Sequence, residues 1–232
     1  MSENLFKEYD NILDFREYML QYAEDNYDLL RDTVENNKSI VRYSTNASYL
    51  GFFCPSLVLD KITKGFTKGR LLKSIPKGKK GYVIYELDSN GKLLRIQEVN
   101  SFGTIFETYI IRKDDEEFSV TTLEGKKCSV VSSTRTIYDN DKLIRFDIMS
   151  SASIRSEIYF DDSYDSKKVH CDEYYYVPNL KGSNKSIQIG EIGSPMKLFN
   201  MIIELDEKRN VVKIEHGEFI NGKTEMSYIY TK

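Results

Sequence analysis

The residues of this chain that could carry acid–base or metal chemistry are few and scattered. There are only two histidines, His170 and His216, and three cysteines. His170, Cys171 and Asp172 stand together, but adjacent residues of a strand point to opposite faces, so a metal ion could be shared by His170 and Asp172 only without Cys171. No C-x-x-C or H-x-x-x-H supplies further ligands. The sequence therefore predicts neither a metal site nor a cofactor.

Sequence motifs that mark common enzyme classes are also absent. The chain contains no G-x-S-x-G, G-x-x-x-x-G-K-[ST], H-E-x-x-H or G-x-G-x-x-G. Paired carboxylates such as Glu107 and Glu157 could in principle serve a glycosidase, but nothing selects them from 36 acidic residues. No catalytic residue is predicted, and an unrecognised hydrolase is kept as the third alternative.

Acidic loops and clustered tyrosines are candidates for binding. The acidic loops lack the residue order of a calcium-binding EF-hand. Two interpretations remain: the loops are solvated turns, or they form a negative patch that steers a basic partner. Tyrosine combines apolar area with a polar tip and is frequent at interfaces, although it is equally a good strand residue. The candidate partner-binding residues are Asp114, Asp115, Glu116, Glu117, Asp161, Asp162, Asp165, Tyr174, Tyr175, Tyr176, Tyr228 and Tyr230.

The distribution of charge and apolar residues excludes several partners. The net charge is −3, and residues 61–80 carry 8 cationic and no acidic side chains. An acidic body with one basic segment is a poor nucleic-acid binder, so no nucleic acid is expected as a partner. No window approaches 18 consecutive apolar residues, and the first residues are acidic where a signal peptide is basic. With three widely spaced cysteines, this predicts a cytosolic protein without a disulfide framework.

The pattern of apolar residues changes near residue 80. Asp14 and Glu17 have the spacing of a capping box and predict a helix that ends near Asn36-Asn37. Beyond Gly81, strands and turns alternate at intervals of about 8–12 residues, which favours an antiparallel meander of about ten to twelve strands. The predicted apolar face of the helix comprises Phe15, Tyr18, Met19, Tyr22, Leu29, Leu30 and Thr33.

These patterns predict an α+β fold. Residues 1–80 are a helical segment with a basic connector, and residues 81–232 are a large curled antiparallel β-meander that could be barrel-like. The helical segment is expected to pack on the meander. We interpret the two parts as one structural domain.

Turn residues set the expected register of two hairpins. The turn Asp88–Gly91 would pair Leu87 with Lys92 and Glu86 with Leu93.

At the carboxyl-terminal end, Asn221-Gly222 is the favoured two-residue type I′ turn. It would place Ile214 opposite Ile229 and His216 opposite Ser227.

A degenerate unit recurs at residues 85–96, 137–146 and 203–214: an apolar strand, an Asp-led turn, a basic residue and a second apolar strand. These units resemble the YD-type repeats of RHS-like β-structures, in which Tyr and Asp precede a turn. The resemblance implies a bacterial immunity partner of a polymorphic toxin, or an antitoxin-type binder. The predicted function is a non-catalytic cytosolic protein-binding module that neutralises a cognate, basic toxin by covering its active site. The alternative is a barrel-like protein that encloses a small apolar ligand.

Overall fold

A computed structural model describes residues 2–45, 50–62, 70–78, 81–113, 115–124, 130–150, 153–162, 165–176, 196–220 and 223–231. Its helices are α1 (Ser2–Asn37) and α2 (Leu59–Ile62), and a 3-10 turn spans Gly51–Phe53. The strands are β1 (Ile40–Ser44), β2 (Tyr82–Leu87), β3 (Leu93–Val99), β4 (Ile105–Lys113), β5 (Glu116–Leu123), β6 (Val130–Asp139), β7 (Lys142–Ser150), β8 (Ile154–Asp161), β9 (Lys168–Tyr176), β10 (Met196–Leu205), β11 (Val211–Ile220) and β12 (Lys223–Thr231).

The strands form one sheet in which every neighbour in space is a neighbour in sequence. The order runs from β1 to β12 without a crossover, and the strand pairs whose register is described are antiparallel. This confirms the predicted α+β fold with an antiparallel meander. A barrel would need β1 and β12 to pair, and no such pair occurs in the described part of the chain. The barrel-like variant of the prediction is therefore wrong.

The chain divides into two compact units. Unit I comprises residues 15–55 and 65–135, and unit II comprises residues 1–14, 56–64 and 136–232. No helix in the part of the chain that the structure describes is long and apolar enough to cross a membrane.

The long helix α1 begins earlier than the sequence predicted and ends where expected, at Asn37. The predicted apolar face is partly wrong, because Tyr18 and Leu29 are each 60% exposed. The buried stripe within unit I lies four, four and seven residues apart along the helix, which places its members on one side. It comprises Met19, Ala23, Tyr27 and Val34, which pack on Tyr109 of β4 and on Phe118 and Val120 of β5.

The other face of the unit I sheet is covered by the 3-10 turn. Tyr85 of β2 is fully buried there, and its hydroxyl lies 3.0 Å from Ser44 Oγ and 3.1 Å from the amide nitrogen of Phe52, which donates to it. Gly51 has φ +52°, and a Cβ at this position would lie 2.4 Å from the Tyr85 oxygen. Glycine is therefore required both by the backbone and by the close approach of the tyrosine.

The basic connector predicted for residues 61–80 is described over residues 70–78. Most of these side chains are exposed, as expected, and Leu72 forms a two-way backbone bridge with Tyr43 of β1. The rest of the connector beyond Ile62 lies outside the described residues.

Two of the three repeated units share the same turn. In the β2–β3 hairpin, Asp88 Oδ1 accepts the amide protons of Asn90 and Lys92 at 2.8 and 2.9 Å. In the β10–β11 hairpin, Asp206 Oδ1 accepts the corresponding two amide protons, at 2.9 and 2.8 Å. A β-bulge immediately precedes the aspartate in both hairpins. The middle copy has a two-residue turn instead, with positive φ at Asn140 and Asp141.

The bulge corrects the predicted register of the first hairpin. Leu87 pairs with Leu93, and Glu86 pairs with Arg95. The prediction of Leu87 opposite Lys92 and Glu86 opposite Leu93 is wrong because the Asp88 carboxylate holds a longer loop that ends at Lys92. The partner of Leu87 is thus shifted by one residue and that of Glu86 by two; the shift of two leaves Glu86 on the predicted side of the sheet but changes its cross-strand partner.

The carboxyl-terminal hairpin has the predicted pair of His216 with Ser227. A bulge between Ile214 and Glu215 places Ile214 opposite Tyr230, so the predicted pair with Ile229 is wrong. The Asn221-Gly222 turn lies outside the described residues.

The shared turn yields a prediction about stability. Gly91 has φ +80°, and Arg209 at the equivalent position of the β10–β11 hairpin has φ +60°, a conformation that costs a non-glycine residue about 1–2 kcal/mol. We expect Arg209→Gly to raise the free energy of unfolding by about 0.5–1 kcal/mol and Gly91→Ala to lower it by about 1 kcal/mol. Urea denaturation of both variants measures this, and a loss of stability in both would contradict it.

Candidate functional site

The first predicted acidic loop is largely paired with cations. Asp114 lies outside the described residues, and Asp115 is an exposed turn residue. Glu116 lies 2.7 Å from Arg135, and Glu117 lies 2.7 Å from Arg112. Both glutamates therefore form ion pairs between strands of unit I, and a paired carboxylate contributes less negative charge to the surface.

The second predicted acidic loop connects β8 and β9 in unit II. Asp161 forms an exposed ion pair with Lys142, with both side chains more than half exposed. Asp162 accepts the amide proton of Asp165 at 3.0 Å and lies 2.7 Å from His170 Nε2. Asp165 in turn accepts the amide proton of Lys167 at 2.9 Å. The carboxylates thus shape the loop locally while remaining at least partly accessible.

The predicted tyrosines are distributed over both faces of the sheet. Tyr174 and Tyr175 are half-buried, and Tyr176 is buried. The Tyr174 hydroxyl lies 3.4 Å from an Asp172 oxygen. Tyr230 is half-buried beneath the ammonium group of Lys61, 4.8 Å from the ring centroid. Tyr228 pairs with Glu215 in the backbone ladder, and its side chain lies outside the described part of the structure.

One face of β8, β9 and β10 brings some of these residues together around an exposed phenylalanine. Phe160 is 50% exposed and lies opposite His170, which lies opposite Ile202. Residues at intervals of two share a face of a strand, so Asp172 and Tyr174 lie on this side as well. We call Phe160, His170, Asp172, Tyr174 and Ile202 the Phe160 face. Phe160 was not among the residues predicted from the sequence, although an apolar residue stands directly before two aspartates there.

The opposite face of the same strands holds a buried pair of carboxylates. Glu157 of β8 and Glu173 of β9 are directly opposite each other, with 0% and 2% exposure. Arg155 Nη2 lies 3.0 Å from Glu173 and 3.5 Å from Glu157. The Tyr159 hydroxyl donates a hydrogen bond to Glu157. A single guanidinium therefore serves two carboxylates, which we call the Glu157–Glu173 pair.

Burial decides the protonation of this pair. It raises the pKa of Glu173 to about 7 against the opposing effect of Arg155, and it also raises the pKa of Glu157. The charge of Glu157 also raises the pKa of Glu173, so the two carboxyls titrate as a coupled pair. Two such groups are chemically able to exchange a proton with a ligand, but their burial gives no substrate access to them. We interpret the pair as structural.

Unit I has a separate charged cluster under α1. Arg95 Nη1 lies 3.2 Å from Glu107, and Nη2 lies 2.7 Å from Glu35 of α1. Arg95 Nε donates to Glu86, and the Tyr27 hydroxyl donates to Glu107 at 2.9 Å. Glu107 and Glu157, named above as an example of paired carboxylates, belong to different units and have different partners.

The short run of His170, Cys171 and Asp172 alternates as a strand should. His170 and Asp172 are half-buried on the Phe160 face, and Cys171 is fully buried on the other side. Burial raises the pKa of the Cys171 thiol. Cys54 and Cys171 are free thiols, and Cys128 lies outside the described residues. Within the described ranges, no three His, Cys, Asp or Glu side chains are placed to hold a metal ion.

Together the described residues define an α+β protein with a long antiparallel meander, a partly exposed aromatic face in unit II and buried charge clusters in both units. Comparison with known proteins finds no relative: no protein-family model, no curated protein and no solved structure matches the chain.

Proposed function

We propose that this protein binds a basic partner protein through the Phe160 face and the adjoining β8–β9 loop. Its role is that of an immunity protein, which neutralises a toxin by covering its active site. The observation that carries the proposal is the half-exposed Phe160, which stands beside Asp161 and Asp162.

An exposed aromatic side chain next to carboxylates has the composition of an interface. Half of the Phe160 surface is in contact with water, and a partner would recover the hydrophobic free energy of covering it. Tyr174 lies on the same face of β9, four residues from His170, and adds a second aromatic group with a polar tip. Aromatic anchors of this kind commonly supply most of the binding energy of an interface.

The charge of unit II favours a basic partner. This unit contains 21 Asp and Glu against 16 Lys and Arg, a balance of −5, whereas unit I contains 15 against 17, a balance of +2. Because the loop aspartates have partners inside the protein, they are expected to act on the rate of encounter more than on the strength of the final contact.

The immunity role and the bacterial cytosol, as parts of this proposal, are supported by two further features. Turns led by Asp88 and Asp206 recur in the two units, in keeping with the resemblance to YD-type repeats, some carriers of which are immunity proteins. The two described cysteines are free thiols, as expected in a reducing compartment, and we place the protein in the cytosol of a bacterium.

The test compares two exposed phenylalanines. We expect Phe160→Ser to abolish retention of one specific protein from the native cell, because it removes the anchor. Phe102→Ser is the matched control, since Phe102 is 92% exposed in the β3–β4 turn of unit I.

The triple variant Asp161→Asn, Asp162→Asn, Asp165→Asn keeps the oxygens that accept amide protons and removes three charges. It should slow association with the purified partner by roughly tenfold at low salt.

The immunity role is tested with the captured partner. Its expression alone should stop growth, and coexpression of the native protein but not of Phe160→Ser should restore it. The proposal fails if Phe160→Ser retains the partner as well as Phe102→Ser does. An association rate that neither salt nor the triple variant changes would exclude electrostatic steering.

A further inference from the structure

A cavity of about 250 Å³ lies in unit I, on the face of the sheet opposite α1. Successive side chains of a strand point to opposite faces of the sheet. Because Arg95, Glu107 and Tyr109 face α1, the residues next to them in β3 and β4 face the cavity. The lining includes the side chains of Ile96, Glu98, Phe106, Thr108, Thr121 and Val131. The cavity is thus built on four consecutive strands, β3 to β6.

Glu98 is the unusual member of this lining. Its side chain is half-buried, and its carboxylate has no hydrogen-bond or ion-pair partner among the described residues. Its cross-strand neighbours are Val83 and Phe106, which are apolar. Glu107, on the other side of the same sheet, accepts hydrogen bonds from Tyr27, Arg95 and Gln97. The Glu98 carboxylate keeps some contact with water, since neither of its oxygens is among the fully buried unpaired atoms, and its partial burial raises its pKa.

The rest of the cavity lining suits a small organic ligand with an apolar part and one polar end. Ile96, Phe106 and Val131 present apolar surface, and Val131 is 44% exposed. The hydroxyls of Thr108 and Thr121 lie 2.9 Å apart and share one hydrogen bond, so one proton and several lone pairs are left for a ligand. The volume is below the range of about 300–1,000 Å³ typical of drug-sized ligands, which indicates a small one.

From this arrangement we propose that the cavity binds a small primary amine with a short apolar body, whose ammonium group pairs with Glu98. The amine supplies the cation that Glu98 lacks, and the apolar body covers Ile96, Phe106 and Val131. An anion would be repelled by the carboxylate, and a neutral alcohol would offer it one hydrogen bond but no positive charge, which makes the weaker contact. This site is independent of the Phe160 face, which belongs to the other unit.

The test uses 2-phenylethylamine, with 2-phenylethanol and phenylacetate as the neutral and anionic analogues of the same body. In calorimetric and NMR titrations of the full chain, only the amine should bind, with shifts of the Phe106, Thr108 and Thr121 amides. Glu98→Gln should weaken binding by roughly tenfold or more, because it removes the charge and keeps the shape. Glu24→Gln on α1 is the matched control, on the other side of the sheet, and should bind as the native chain does.

A second readout does not depend on the stability of the variant. In the native chain, saturation with the amine should lower the NMR-observed pKa of the Glu98 carboxyl, because a bound cation favours its ionised form. Equal affinity for the amine and the alcohol would mean that the cavity binds the apolar body without recognising the ammonium group, and it would overturn the proposal. The same conclusion follows if the amine does not bind, or if Glu98→Gln binds it as well as Glu24→Gln does.

Discussion

Replacing Arg95 by methionine is expected to lower the free energy of unfolding by about 3–5 kcal/mol, because it leaves buried Glu107 without its cation and buried Glu86 with Lys38 alone. The guanidinium contacts Glu35, Glu86 and Glu107, and the latter two have only 4% and 3% exposure. Methionine fills most of the volume, so the loss measures the charge more than the packing.

Arg135→Met is the matched control for this substitution. Arg135 pairs with Glu116 at 2.7 Å, and both side chains are partly accessible, so the expected loss is about 1 kcal/mol or less. Urea denaturation at pH 7 compares the two variants. Replacing Glu86 and Glu107 by glutamine in the Arg95→Met background should recover part of the stability. A loss in Arg95→Met no larger than in Arg135→Met would contradict the role assigned to the cluster.

The predictable part of the fold depends on local signals. The alternation of apolar residues and the Asp-led turns predicted the meander, and the Asn-rich segment predicted the end of α1 at Asn37. The start of α1 was missed because the apparent cap at Asp14 lies inside a continuous helix. Its buried face was partly missed because Tyr18 and Leu29 look apolar in sequence, and only the position of β4 and β5 decides which side is covered.

The unpredicted part depends on contacts between distant residues. Glu86 faces Arg95 only because of the β-bulge before Asp88, and the residue pattern does not indicate this bulge. The acidic loops were recognised, but their cations were not: Lys142 is 19 residues from Asp161, and Arg135 is 19 residues from Glu116. Phe160 was missed because exposure of an aromatic residue is a property of the folded surface.

The pH dependence of stability should respond strongly to Glu173→Gln. The pKa of Glu173 is about 7 in the folded chain against 4.5 in the reference state, so the folded state holds an additional proton between these values. Its contribution is fully present below pH 4.5 and is lost as the pH rises through about 7. We expect the free energy of unfolding to fall by up to about 3 kcal/mol between pH 5 and pH 8 on this account. The raised pKa of Glu157 acts in the same direction.

Glutamine at position 173 keeps the shape of the protonated acid and cannot ionise. The variant should therefore be close to the native stability at pH 5 and should exceed it at pH 8, which urea denaturation at both pH values measures. Glu204→Gln is the control: Glu204 is half-buried on the Phe160 side of β10 near Lys213 and should keep the native slope. If Glu173→Gln keeps that slope as well, the additional proton of the folded state is not on Glu173. If the slope becomes smaller, the ionised form of Glu173 destabilises the fold relative to its protonated form.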